Sequence, residues 1–440
     1  MTYKLNLTRY PHLQPDLTDM DAQLMRLTRL VMNEGLWTRA TRDAWLTEIL
    51  NFQADDGSFA LVDSHRIESD CRVAYCYEAS YLCCALLMRE GLGEEQPSDK
   101  VLNALGRGLD FCCGRGLQGH GFEAAEGEER AMGWFLRCGL EQFLQAHPGL
   151  SPAFTELAGG LLSRWTRVFV YGSLMSTGSR HAALARAVYL GRARIEGYSL
   201  YDLGPYPAAR QGGHGSIQGE LYFVHDLSLQ QTDRIEAQGV LFSREPILVH
   251  IEGNLLPAEV YLYLHEVHAA QPIGEADQPY GPRQEDLVWY AAYGTNIDEK
   301  RFAYYIRGGI YPPTGKRHTG CRDKKPPIST MPVTLGYERY YAKRSPSWNH
   351  QGVAFLDMDR PGRVLGRAYL ITREQYQDIR QQEGPTWYNR EVLLGSYHGI
   401  AVRTLTHSSR IAPENAPSDA YLQVVQGAGR GQSWMDSPVF

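Results

Sequence analysis

A strand that breaks at Tyr-Gly occurs twice in this 440-residue chain, and that repeat limits its possible folds more than any other feature. The first copy reads Arg167-Val-Phe-Val-Tyr-Gly-Ser-Leu-Met175, the second Leu287-Val-Trp-Tyr-Ala-Ala-Tyr-Gly-Thr-Asn-Ile297. In each, an apolar run typical of a buried strand stops at a glycine, and a hydroxyl residue then opens a polar, helix-like segment. Such a turn leaves backbone N–H groups unpaired and outward-facing, a cradle for a carboxylate or an oxyanion. A plain strand-to-turn junction uses the same residues, so one copy alone decides nothing.

A second feature recurs at matched spacing. Gly219-Glu-Leu-Tyr222-Phe-Val runs into Asp226-Leu-Ser-Leu-Gln-Gln-Thr-Asp-Arg-Ile-Glu236, and Gly366-Arg-Ala-Tyr369-Leu-Ile runs into Thr372-Arg-Glu-Gln-Tyr-Gln-Asp-Ile-Arg-Gln-Gln-Glu383. Glycine, tyrosine and final glutamate keep the same offsets in both. Each reads as a strand leading to a short helix with a polar cap, Asp226 or Thr372, that ends on a glutamate. Two such coincidences indicate an internal repeat.

These residues resemble the gamma-glutamylcyclotransferase superfamily, with its Tyr-Gly-Ser-like turn after the first strand and its catalytic glutamate in a Leu-Asp-x-x-Glu-Gly-like segment. The first copy, with Asp202-Leu-Gly-Pro-Tyr-Pro207, is most similar to the gamma-glutamylamine (AIG2-like) branch. The second, with Gln382-Glu383-Gly384 and the stretch from Pro417-Ser-Asp-Ala-Tyr421 to Gly427-Ala-Gly429, is closer to the glutathione-pathway branch. The resemblance implies cyclisation of a gamma-glutamyl amide or peptide to 5-oxoproline with release of the amine. It implies Glu383 and Glu236 as general acid/base groups, and Tyr171, Gly172, Ser173, Leu174 with Tyr293, Gly294, Thr295, Asn296 as substrate-binding turns. The first copy departs from the pattern, since Ala237 follows its glutamate where the family has glycine; the second has Thr295 for the usual serine and keeps Gly384. The second copy is therefore expected to be the working site, and the first to have become structural or binding.

The chemistry needs little from a protein. The alpha-amino nitrogen of a gamma-glutamyl amide can reach its own side-chain carbonyl and close a five-membered ring, so folding the substrate and moving protons suffice. No metal or cofactor is expected, and the chain carries no P-loop, dinucleotide fingerprint or convincing zinc spacing. A recognition protein that binds a gamma-glutamyl or other carboxylate-bearing partner without turnover is the alternative.

At 440 residues the length suggests about three domains. A net charge of −6 with interspersed signs favours neither nucleic acid nor a membrane surface as partner, and no apolar run long enough to span a bilayer or signal peptide is evident, so a cytoplasmic protein is expected. Seven of eight cysteines lie between Cys71 and Cys138 on helical segments and read as buried free thiols. The sequence sets no oligomeric state.

The expected fold class is multidomain α+β: an N-terminal all-α helical-hairpin domain (1–165), then two gamma-glutamylcyclotransferase-like mixed β-barrel domains with short helices (166–268 and 286–432). A Pro/Gly-rich linker (269–285) and an untied tail (433–440) complete it. Helices are expected over 18–32 after an Asp19 cap and near 41–50, 70–90, 98–113, 128–146 and 151–165. Gln53-Ala-Asp-Asp-Gly57-Ser-Phe59, like the looser stretch 109–122, resembles the joint that ties helix ends in alpha/alpha-toroid proteins, which implies a docking or scaffold role here. Prenyl chemistry in this region is a weaker third reading. The basic, proline-rich insertion 311–327 reads either as a lid or substrate-contacting loop or as a solvated excursion.

Overall fold

The computed structural model of the chain describes residues 14–32, 36–59, 69–93, 98–115, 125–149, 152–267, 270–427 and 437–440. Among the described residues seven α-helices come first: α1 (Gln14–Met32), α2 (Arg39–Asn51), α3 (Ser69–Gly91), α4 (Asp99–Arg115), α5 (Ala125–Arg137), α6 (Leu140–Ala146) and α7 (Pro152–Leu162). The run Ala79–Met88 of α3 is buried on all sides, which makes α3 the central helix of this layer. Helix α1 already runs from Gln14, so Asp19 lies inside it and is not its cap. The segment expected as one helix over 128–146 is two, because Gly139 takes a left-handed φ of 86° and breaks the ladder. At the Gln53–Phe59 joint, Gln53 Nε2 donates to Ala104 O at 2.7 Å and Gly57 O at 3.1 Å. Arg107 O lies so close to Gly57 that a Cβ there would sit 2.2 Å from it. The joint thus fastens α2 to α4. Residues 116–122 of the 109–122 stretch, like the side chains of Cys71, Cys76 and Cys113, lie outside what is described; Cys83, Cys84, Cys112, Cys138 and Cys321 are buried thiols in no disulfide.

The chain then enters a barrel built from β1 (Trp165–Val170), β2 (Val188–Asp202), β3 (Pro207–His225), α8 (Asp226–Ile235), β4 (Phe242–Ile251), β5 (Asn254–Tyr263) and β6 (Gln271–Ile273). Strand order is β3-β1-β5-β4-β2-β6, and a β2–β3 pairing closes the ring. The stretch 269–285 is not a free linker. β6 pairs with β2, and Glu275 and Gln278 accept from the Ser216 and Gln218 amides of β3. Side-chain capping of strand amides leaves no periodicity in sequence, which hides such a segment.

The second unit follows directly: β7 (Leu287–Ala292), α9 (Glu299–Arg307), β8 (Gly309–Tyr311), β9 (Lys316–His318), β10 (Ser329–Ser345), β11 (Gln351–Thr372), α10 (Arg373–Glu383), β12 (Arg390–Tyr397), β13 (Ile400–Thr406) and α11 (Asp419–Gly427). Its main sheet has the order β10-β11-β7-β13-β12 with no closing pairing among the described residues, an open sheet where a barrel was expected. The β10–β11 hairpin shifts register at three places, where bulges bend a strand pair. The edge of β10 is covered by the chain terminus: Thr334 bonds Pro438 O and Phe440 N, and the Phe440 side chain is 2% exposed. Residues 437–440 are therefore docked, against the expectation of an untied tail, because an apolar final residue fills the second core.

The two units share a register. Val168 pairs with Tyr222 antiparallel and with Glu259 parallel; Tyr290, at the matching place before its turn, pairs with Tyr369 and Arg403. Tyr171 donates to Tyr261 O at 2.6 Å, and Tyr293 donates to Leu405 O at 2.7 Å. Gly219 and Gly366 are required alike, since a Cβ would lie 2.2 Å from Val170 O in one and 2.7 Å from Ala292 O in the other.

The helical layer holds both units. Trp165, Val188 and Phe223 enter its core, while Arg29 of α1 stacks 4.2 Å over the Tyr337 ring of β10. Between the units, Gln284 Nε2 donates to Glu220 Oε1 and Ser176 Oγ at 2.7 Å, and the His181 and His398 rings meet at 2.6 Å.

Candidate active site

In the second unit every element needed for a closed site converges. Strand β7 brings Tyr290 and ends in the buried Tyr293-Gly294-Thr295-Asn296 turn. Gly294 is needed because Tyr421 Oη would lie 2.8 Å from a Cβ there. The turn is held from behind by Tyr369, which donates to Asn296 O at 2.8 Å, and by Arg367, whose Nε donates to Ile297 O at 2.9 Å. Asp298 caps α9, setting Arg301 and Tyr305 one turn apart on one face. Thr372 and Gln375 form a capping box that starts α10, which runs to Glu383.

The Glu383 carboxyl is enclosed. Asn296 Nδ2 donates to Oε1 at 2.6 Å, Tyr290 OH to Oε1 at 3.2 Å and Tyr305 OH to Oε2 at 3.4 Å. Burial pushes its pKa above the ordinary 4.5, opposed by the charges of Lys316 and Arg301 and by the tyrosine hydrogen bonds. Around it lies a cavity of about 450 Å³, lined also by Trp348, Trp387 and Tyr388. The insertion 311–327 supplies part of this wall through Lys316, and it buries Tyr311, His318 and Cys321, so it is no solvated excursion.

The first unit places Tyr171, Gly172, Ser173 and Leu174 beside Glu236 as well, but the space among them is only about 20 Å³. Pro207 fills it: a Cβ on Gly172 would lie 2.7 Å from that ring. Val168 and Leu174 stand where the second unit has Tyr290 and Asn296, and the Glu236 carboxyl has no hydrogen-bond partner among the described residues. Burial raises the Glu236 pKa to about 7, eased by Arg180. Helix α8 is capped by His225, with Asp226 as its first residue, and Ala237 is forced to a φ of 46° where Gly384 takes 85°. A separate cleft of about 350 Å³ by Arg192, Glu220 and Gln284 contains neither turn glycine nor either glutamate.

Tyr290, Tyr305, Arg301 and Lys316 were not singled out from the sequence. For Tyr290 the signal is a difference between copies, since a tyrosine in the second stands at the register position that is Val168 in the first. Arg301 and Tyr305 lie on α9, which stands at the offset from its turn where the first unit has only the short 3-10 helix His181–Leu184, and Lys316 lies in the extra length, since Tyr293 and Glu383 are 90 positions apart and Tyr171 and Glu236 only 65.

A model of the family "Gamma-glutamyl cyclotransferase, AIG2-like" matches residues 168–281. A putative gamma-glutamylcyclotransferase of Vibrio cholerae is 36% identical over 111 residues, which are 24% of this chain and 92% of that protein. This chain belongs to the AIG2-like gamma-glutamyl cyclotransferase family. Another relative is the gamma-glutamylcyclotransferase family protein YtfP of Escherichia coli, 36% identical across 25% of this chain and 94% of its own length. Histone deacetylase 5 of Arabidopsis thaliana is 35% identical over 155 residues, and this chain spans 23% of its length. Among solved structures, YkqA of Bacillus subtilis aligns at 19% identity over 60% of this chain and 91% of its own, with a TM-score of 0.24. The family match falls on the first unit, whereas the larger cavity lies in the second.

Proposed function

We propose that the protein cyclises a gamma-glutamyl amide or peptide to 5-oxoproline in its second unit, with Glu383 as general acid and base. The observation that carries this is the contrast between the two glutamates: Glu383 faces a cavity of about 450 Å³ and has three hydrogen-bond donors, and Glu236 faces about 20 Å³ and has none among the described residues. Residues 286–432 are on this reading a diverged second cyclotransferase-like copy, supported by the shared strand register.

In the reaction the substrate alpha-nitrogen attacks the gamma-carbonyl carbon, a C–N bond forms, and the original amide C–N bond breaks. Glu383 takes the proton leaving the attacking nitrogen and delivers one to the departing amine, so no water is consumed. Asn296 Oδ1, buried and without a hydrogen-bond partner among the described residues, is available to accept from the alpha-amino group. Arg301 and Lys316 disfavour a positive charge on that amine, which aids its deprotonation. The turn amides of Gly294, Thr295 and Asn296 bind the glutamyl carboxylate and the carbonyl oxygen as it gains charge. The first unit and the helical layer act as scaffold. The reading assigns the protein to the cytoplasm, where the five described thiols stay reduced; secretion of the chain would contradict that assignment.

The test is 5-oxoproline release from a panel of gamma-glutamyl amines, amino acids and peptides. Product from at least one compound, lost on Glu383→Gln, supports the reading. Tight binding of a panel member with no product would make the chain a recognition protein instead.

A further inference from the structure

A cleft of about 350 Å³ lies beside the seam, apart from Glu236 and Glu383, and cyclisation makes no use of it. Strands β2 and β4 are joined through one residue pair, Arg194 with His250, and the residues around that pair, 192–194 and 250–253, line the cleft. Small-molecule pockets run to about 300–1,000 Å³, favour the joints between domains, and combine apolar walls with a few placed polar groups. Here Met175, Ala193, Ile251, Pro279 and Pro282 supply the walls.

The polar groups carry both signs. Arg192 Nε donates to Gln284 Oε1 at 3.1 Å, and Gln284 Nε2 donates to Glu220 Oε1 at 2.7 Å. A cation and an anion thus stand on either side of one amide, separated by a hydrogen bond, the amide and a second hydrogen bond. A zwitterionic α-amino acid laid beside that amide spans the same gap, with its carboxylate towards the arginine and its ammonium towards the glutamate. Arg192 keeps an edge for it: Nη2 meets Glu285 at 2.6 Å, and Nη1 has no hydrogen bond among the described residues. Both members of that pair are more than half exposed, so sharing the guanidinium costs little. Glu220 is 3% exposed and accepts from the Ser176 amide and hydroxyl, Tyr222 and Gln284. Burial raises its pKa, but all four contacts are donors and favour the charged form. Glu220 therefore supplies charge, and Thr177 supplies the open acceptor. Thr177 lines the cleft at 3% exposure, and its hydroxyl has no hydrogen-bond partner among the described residues. A buried hydroxyl left so is destabilising, and a ligand ammonium completes it.

We propose that this cleft binds a free α-amino acid with an apolar side chain, its carboxylate on Arg192, its ammonium on the Thr177 hydroxyl beside Glu220, and its side chain along Met175 and Ile251. A ligand there touches both the first unit and Gln284, just ahead of β7, and so fastens the seam. The inference stands independently of cyclisation.

Calorimetry on the full-length protein tests this with L-valine, L-leucine, L-methionine and L-phenylalanine. Each is compared with the amine that lacks its carboxylate and the acid that lacks its ammonium, 3-methylbutylamine and 4-methylpentanoate in the case of leucine. The tightest amino acid should bind about 10-fold or more better than either counterpart, because each loses one charge-assisted contact. Arg192→Gln should bring the amino acid down to the level of its amine and leave the amine within about twofold. Thr177→Val, which keeps the side-chain shape, should weaken amino acid and amine alike and spare the acid. Thermal melts confirm folding; if Thr177→Val fails to fold, Arg192→Gln, at an exposed side chain, still decides. No binding of any amino acid, or an amine or acid that binds as tightly as its parent, overturns the proposal. Binding unchanged in either folded variant overturns it as well, and its loss in Asn296→Leu instead would place the amino acid in the cavity around Glu383.

Discussion

Asn296 and Leu174 occupy the same place in the two turns, and the difference between them decides what each glutamate can do. An asparagine there donates to the carboxyl of Glu383 at 2.6 Å and keeps an acceptor free for substrate. Leucine at the matched place offers Glu236 nothing. Asn296→Leu should therefore lower kcat by about 10- to 100-fold with the fold retained, as measured by 5-oxoproline release beside a thermal melt. A change of less than twofold would mean that the asparagine is not part of the machinery. The pH behaviour follows from the same burial. With its pKa raised above 4.5, Glu383 is ionised only at higher pH, so the acidic limb of the kcat/KM profile should lie above the ordinary carboxylate range. Stability has the opposite sign: between 4.5 and the raised value the native state binds more protons than the unfolded chain, so stability falls as pH rises through that window. Glu383→Gln should remove this part of the decline, checked by denaturant melts at pH 5 and pH 8. A variant whose stability falls as steeply as the wild type's would contradict it.

At the level of elements, the helices carrying the two glutamates begin and end differently. Helix α10 has a full capping box and a glycine at its exit; α8 is capped by one histidine and leaves through Ala237 in the left-handed region. Beyond α8, Gln238 N bonds Asp233 O at 2.9 Å, the closing bond of a Schellman turn that glycine makes without a Cβ penalty. Ala237→Gly is expected to stabilise the protein by about 0.5–1 kcal/mol with turnover unchanged, read from the denaturation midpoint. A loss of stability would place the strain elsewhere. The repeat was legible in the sequence because glycine, tyrosine and glutamate keep their offsets, and the same offsets reappear as strand register. What stayed hidden was set by side chains acting across long distances: Glu275 and Gln278 stitch 269–285 to β3, and Phe440 fills the second core. The break at Gly139 was hidden for a different reason, because its neighbours keep a helical apolar pattern through a left-handed residue.

Taken whole, the molecule sets two units of matched register against a helical layer, with polar contacts at the seam between the units. Glu220 lies buried there, bonded by the Ser176 amide and hydroxyl, Tyr222 and Gln284, so the first turn is tied to the seam. At the matching place of the second unit stands Arg367, which holds its own turn through a carbonyl. Opposite charges thus clamp the two turns, one at a seam and one behind a cavity, and this fits a division into scaffold and reaction site. Sequence spacing could place both glutamates beside their turns, but only the packing of Pro207 against Gly172 reveals which space is filled. The measurement that tests this most directly is 5-oxoproline release by wild type, Glu383→Gln and Glu236→Gln on one substrate panel. The account predicts release by the wild type, a loss of about 100-fold or more in Glu383→Gln, and near-wild-type release by Glu236→Gln. Turnover that survives in Glu383→Gln and disappears in Glu236→Gln would contradict it.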